Sequence, residues 1–137
     1  MGGGWGAIVA QRILVVDDDV SLRLLLDYRL AKEGYDVVLA ANGLDALEQV
    51  EAHIPDLIIL DLDLPRLDGL GFLRRLRSEE STSSIPVLVL TAYGFEQNRS
   101  KSLDLGASAF MVKPFSPRAL IDDLRHILQD QGSGAVV

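Results

Sequence analysis

Asp61 is the residue around which the chemistry of this chain gathers. It follows the unbroken apolar run Leu57-Ile58-Ile59-Leu60, and it leads into Leu62-Asp63-Leu64-Pro65 and then Asp68-Gly69. A second acid cluster, Asp17-Asp18-Asp19, closes the run Ile13-Leu14-Val15-Val16. Thr91 ends Val87-Leu88-Val89-Leu90, and Lys113 ends Ala109-Phe110-Met111-Val112. Each chemically competent group thus stands where an apolar run stops. If those runs are strands of one parallel sheet, all the groups meet at one edge, where ligands bind in open α/β sheets. Carboxylates crowded together repel and hold their protons more tightly unless a cation neutralises them. The chain has no Cys, and His53 and His126 have no acid partner at useful spacing, so the fitting cation is hard and oxygen-liganded. Magnesium meets that description, since one or two carboxylates hold it while it keeps several waters. A carboxylate beside magnesium, an ammonium and a hydroxyl is equipped to attack a phosphoryl group. The cationic and hydroxyl groups supply the charge stabilisation, and the product is an aspartyl phosphate.

The elements that must position these groups follow from the pattern. Short apolar runs bounded by turn residues read as strands buried on both faces. They are expected at Arg12–Val16, Tyr35–Ala40, Leu57–Leu60, Pro86–Leu90 and Ala109–Val112. Between them lie helical patterns. Ser21 opens the first, with Leu22, Leu25, Leu26 and Leu30 inward and Gly34 as its stop. Leu44, Leu47 and Val50 line the second, and Leu70, Leu73 and Leu76 the third, which carries a basic face of Arg74, Arg75 and Arg77. A weakly amphipathic, mostly polar helix spans Glu96 to Leu105. Ser116-Pro117 is an N-cap with proline at the first helical position, opening a last helix with Leu120, Ile121, Leu124, Ile127 and Leu128 inward. Strand and helix alternate five times, which calls for parallel strands, right-handed crossovers and helices on both faces. The expected architecture is one doubly wound α/β domain over residues 11–130, with a flexible arm over 1–10 and a flexible tail over 131–137.

Bulk properties narrow the classes of function. At 137 residues the chain suffices for one ordinary core, and 48% hydrophobic with 24% charged content is the balance of a folded domain. A formal net charge of −7 argues against direct contact with nucleic acid, whose phosphates attract basic patches. Without cysteine there is no disulfide or thiolate chemistry, which suits a reducing cytoplasm. No apolar run approaches the ~20 residues that span a bilayer, so no membrane role is expected. The first residues lack the basic and apolar segments of a secretory leader.

Val15-Val16-Asp17-Asp18, Asp61 with Pro65 and Asp68-Gly69, Thr91-Ala92, and Lys113-Pro114-Phe115 resemble the receiver domain of two-component response regulators. The likeness covers roughly residues 11 to 130 in order. It implies a flavodoxin-like sheet of order 2-1-3-4-5. It implies Asp17 and Asp18 as metal-holding acids, Asp61 as phosphoacceptor and metal ligand, and the backbone carbonyl of Asp63 as a further ligand to Mg2+. Thr91 would hydrogen-bond the phosphoryl group and Lys113 would pair with it. Thr91 and Phe110 would form a switch, Phe110 rotating inward as Thr91 moves, which remodels the face of the fourth helix, fifth strand and fifth helix. Implied partners are a sensor histidine kinase or histidine phosphotransfer protein as donor, and a downstream protein or detached output domain as target, with homodimerisation on activation. The Lys113–Pro114 bond is cis in the family, an isomer the sequence permits without establishing.

Asp63 and Tyr93 occupy positions that vary in the family, and both are expected to adjust how water reaches the acyl phosphate. Phe110 lacks the hydroxyl that tyrosine would bring, so only a steric switch is expected. Asp19 reads as a helix N-terminal charge, the three arginines as a solvated face, and both histidines as surface residues. Two alternatives stand beside the phosphoacceptor. One is a phosphate-independent binding or dimerisation module of the same fold. The other is a phosphatase, because Asp61-Leu62-Asp63 also resembles the Asp-x-Asp pair of haloacid-dehalogenase-like enzymes, although there the motif ends the first strand.

Overall fold

The computed structural model describes residues 10–92 and 96–136. Five strands alternate with five helices: β1 (Arg12–Val16), α1 (Val20–Lys32), β2 (Asp36–Ala40), α2 (Gly43–Ala52), β3 (Leu57–Asp61), α3 (Gly69–Ser78), β4 (Val87–Thr91), α4 (Glu96–Asp104), β5 (Ala109–Val112) and α5 (Pro117–Val136). The strands form one parallel sheet of order β2-β1-β3-β4-β5, as the alternation and the resemblance require.

Central strands are apolar at consecutive positions because both faces of the sheet are covered. Leu14, Val16, Ile58, Leu60, Val87 and Val89 pack beneath α2 and α3 with Ala46, Val50, Phe72, Leu73 and Leu76. Ile13, Val15, Leu57, Ile59, Leu88 and Leu90 face the other way, onto Leu26 and Leu30 of α1 and Leu120, Leu124 and Leu128 of α5. Truncating such a buried leucine to alanine costs about 2–5 kcal/mol, so these two layers hold the sheet whose edge carries the site.

Three sequence expectations change. Leu25 is 41% exposed and Leu44 also faces solvent, because α1 and α2 bury a narrower stripe than leucine spacing alone implies. The first helix is capped two residues earlier than Ser21: Asp19 accepts from the amides of Ser21 (2.9 Å) and Leu22 (3.4 Å). At the other end, α5 continues to Val136, where a tail was expected from Gln131. Residues 1–9 of the expected arm, and Tyr93, lie outside the described residues.

Candidate functional site

Register brings the strand ends together. Val16 pairs with Leu60, Asp61 with Leu90, and Thr91 with Val112, so residues 17, 61, 91 and 113 leave the sheet at one edge. Asp17 and Thr91 are wholly buried and Asp61 is 3% exposed, whereas Asp18 lies at the solvent rim. Oxygen atoms of Asp17, Asp18 and Asp61 all fall within 4.8 Å of one another.

Each group is held by a second contact. The Lys113 ammonium donates to Asp17 Oδ2 at 2.8 Å and to Asp61 Oδ2 at 3.3 Å. The Asp63 amide donates to Asp61 Oδ1 at 3.1 Å, tying the other carboxylate oxygen to the loop. The Asp19 amide does the same for Asp17 Oδ1 at 2.9 Å, and Arg23 donates to the Asp17 carbonyl at 2.6 Å. Lys113 is itself fixed by its amide on the Thr91 carbonyl at 2.7 Å, and it precedes a cis Lys113–Pro114 bond. Thr91 Oγ1 donates to Asp63 Oδ2 at the long distance of 3.5 Å. Behind Asp61 the chain turns tightly: the Gly69 amide bonds the Leu62 carbonyl at 3.1 Å, and a Cβ there would stand 2.6 Å from the Asp61 carbonyl oxygen. Only glycine allows α3 to start so close to the site.

The electrostatics follow from burial and crowding. Burial pushes the Asp61 carboxyl above its ordinary value and Asp17's charge adds to the push, while the Asp63 amide and Lys113 oppose it. Burial alone would lower Lys113, but hydrogen bonds and charge from Asp17 and Asp61 outweigh that and hold its ammonium above the usual lysine value. Three acids against one ammonium leave a negative pocket. Its donors are all hard oxygens, and one of them reaches solvent, so the residues fit a hard divalent cation.

Phe110 is half-buried, packs against the α2–α3 layer and pairs with Val89, two rungs below Thr91 and on the same face. Sequence reasoning missed Arg23, whose place one turn into α1 is the only signal, and it misread Arg77. Arg74 and Arg75 are exposed as expected, but Arg77 donates to the Leu105 and Gly106 carbonyls at 2.8 and 3.2 Å.

A flavodoxin-like doubly wound domain with acids, a hydroxyl and an ammonium at its switch edge defines the class. A sequence model of the response regulator receiver domain matches residues 13–125. The chain belongs to that family, and with it to two-component signalling. It is 44% identical over 119 residues to the probable transcriptional regulator ycf27 of Cyanophora paradoxa, covering 87% of this chain and 48% of the relative. The alkaline phosphatase synthesis transcriptional regulatory protein PhoP of Bacillus subtilis is also 44% identical over 119 residues, covering 87% and 49%. The chain thus spans about half the length of these relatives. Among solved structures, a CheY-like receiver domain protein from Methanospirillum hungatei superposes with a TM-score of 0.86 at 29% identity, over 92% of this chain and 99% of that one. Chemotaxis response regulator CheY4 of Vibrio cholerae gives 0.81 at 30% identity, over 87% and 99%.

Proposed function

We propose that this domain is a magnesium-dependent phosphoacceptor switch that takes a phosphoryl group onto Asp61 from a phosphohistidine. The observation that carries this reading is the buried Asp61 carboxylate with Lys113 3.3 Å away and Asp17 and Asp18 beside it. Asp17, Asp18, Asp61 and the Asp63 carbonyl would hold Mg2+, which supplies charge neutralisation for the transferring group. An Asp61 oxygen bonds phosphorus as the P–N bond to the donor imidazole breaks, and the electron pair leaves with the ring nitrogen. Lys113 pairs with the phosphoryl oxygens, and Thr91 turns its hydroxyl from Asp63 toward them. Phe110 then fills space near Thr91 and alters the α4-β5-α5 face. The domain assists its own modification but turns over no external substrate.

An exposed apolar stripe supports a helical protein as donor. Val20, Leu24 and Tyr28 recur every four residues along α1, each more than half exposed, and the stripe starts beside the acid rim. Such a partner fits a sensor kinase or phosphotransfer protein, with output through a downstream protein or an output domain. We place the reaction in the cytoplasm, where these donors are found. The test is intact mass after incubation with magnesium and acetyl phosphate. One phosphoryl adduct, lost in Asp61→Asn and with chelator, is the expected result. No adduct on the wild type would favour the phosphate-independent binding module instead.

A further inference from the structure

The two ends of α4 are held very differently. At its C-terminal end the amide of Gly106 bonds the Leu103 carbonyl at 2.9 Å and that of Ala107 the Ser102 carbonyl at 2.9 Å. Gly106 has a φ of +79°, so this is a glycine-dependent closing turn of the Schellman type. Arg77, reaching across from the last turn of α3, adds its Nε and Nη2 donors to the carbonyls of Leu105 and Gly106. Its third nitrogen, Nη1, is buried and unpartnered, and burial lowers its pKa. The two bonds to the Leu105 and Gly106 carbonyls are what hold the guanidinium there, and they hold it although one donor is left unmet. Among the described residues, the rest of α4 has no such hold. Ser102, near that same end, is its one buried residue, and Glu96, Gln97, Arg99 and Ser100 are exposed.

Arg77 also stands at the end of a chain of contacts that starts at the site. The loop after Asp61 is locked to the start of α3 through Gly69 and Leu62, α3 is anchored by Phe72, Leu73 and Leu76, and Arg77 ties its end to the end of α4. We propose that Arg77 is a positioning residue that makes the C-terminal end of α4 a fixed pivot, so that α4 responds to Asp61 and Thr91 by swinging its N-terminal half about Gly106. This rests on the phosphoacceptor reading for the signal, though not for the clamp. A swing about one end sets which residues of α4 a target meets, and it makes the response a rotation rather than a melting of the helix.

Amide hydrogen exchange on the whole chain tests it, with and without magnesium and acetyl phosphate, in wild type, Arg77→Gln and Arg77→Lys. Intact mass in the same samples reads the Asp61 adduct independently. In the wild type, adduct formation should change exchange at residues 98–100 and leave 105–107 unaltered. Arg77→Gln should raise exchange at 105–107 about tenfold, one hydrogen bond to a charged group being about 1.5 kcal/mol. Its adduct yield should be unchanged, but the adduct should now perturb 105–107 as well. Arg77→Lys, retaining one donor and the charge, should fall between. A merely structural contact would lower stability without redistributing the response along α4. Unchanged exchange at 105–107 in Arg77→Gln, or wild-type changes as large there as at 98–100, overturns the pivot. If no adduct forms the phosphoacceptor reading fails instead, and the unmodified comparison still decides the clamp.

Discussion

The Lys113 ammonium is bonded to Asp17 at 2.8 Å, closer than the 3.3 Å that separates it from the proposed nucleophile Asp61. The Asp17 side chain is only 1% exposed, so Lys113 is the cation that makes its burial tolerable. Removing one partner of a buried pair leaves an uncompensated charge and typically costs about 3–5 kcal/mol. Lys113 is itself partly solvated, so the lower part of that range applies. Lys113→Met should therefore lower the urea-unfolding free energy in chelator by roughly 3 kcal/mol, and added magnesium should restore part of it. A loss that magnesium leaves untouched would mean that the lysine is holding the β5 end rather than the charges.

Most of this site was legible because its parts sit where strands end. Asp17, Asp61, Thr91 and Lys113 each terminate an apolar run, and parallel topology alone carries such residues to a common edge. Asp19 was readable as a helix-start charge, and its side chain does cap α1. Arg77 was not readable. Its spacing with Arg74 and Arg75 fits a solvated face, and only the tertiary placement of α4's carbonyls distinguishes it. Leu25 and Leu44 were misread for a related reason, since leucine spacing marks a helical face without saying how wide a stripe the neighbouring layer covers. The isomer of the Lys113–Pro114 bond also lies beyond sequence, because both forms are within reach of any X–Pro bond.

Asp61 makes stability depend on pH with a definite sign. Burial, and then Asp17's charge, raise its folded-state value above that of the unfolded chain. The native state therefore binds the proton more tightly, and its advantage is complete below the unfolded value of about 4. That advantage is lost as pH rises through the raised folded value. In chelator, Asp61→Asn should raise Tm at neutral pH and should lose that gain as pH falls below about 4, where the native carboxyl is already protonated. Thermal melts of both proteins across that range check it. A gain that is the same at every pH would assign the effect to packing rather than charge.

Asp63 touches the site twice, through its amide on Asp61 and its carboxylate on Thr91. The carboxylate engages the hydroxyl that a phosphoryl group would use, and Asp63 is exposed to solvent. Asp63→Asn keeps the amide contact and removes the charge, weakening the competing hold on Thr91 and any help to hydrolytic water. At 3.5 Å that hold is weak, and a change of about 1 kcal/mol in it would make the phosphorylated form live roughly fivefold longer. Decay of the phosphoryl adduct by mass after removal of acetyl phosphate reads this directly. An unchanged lifetime would remove Asp63 from any role in setting it.

Leu24 separates donor docking from donor chemistry. Its side chain is exposed in the middle of the Val20–Leu24–Tyr28 stripe and makes no part of either core layer. Leu24→Glu should leave the fold and the acetyl phosphate reaction unaltered, because a small donor needs only the acid pocket. A protein donor would have to desolvate a carboxylate against its own apolar face. Loss of one buried leucine contact alone is worth about 1.5–3 kcal/mol, or roughly 10- to 150-fold in affinity. Phosphotransfer from a histidine-phosphorylated partner should therefore slow by at least tenfold at subsaturating partner, with the shift in KM rather than in the maximal rate. Equal slowing with acetyl phosphate would point to a disturbed pocket, and no slowing with either donor would place the protein donor on another face.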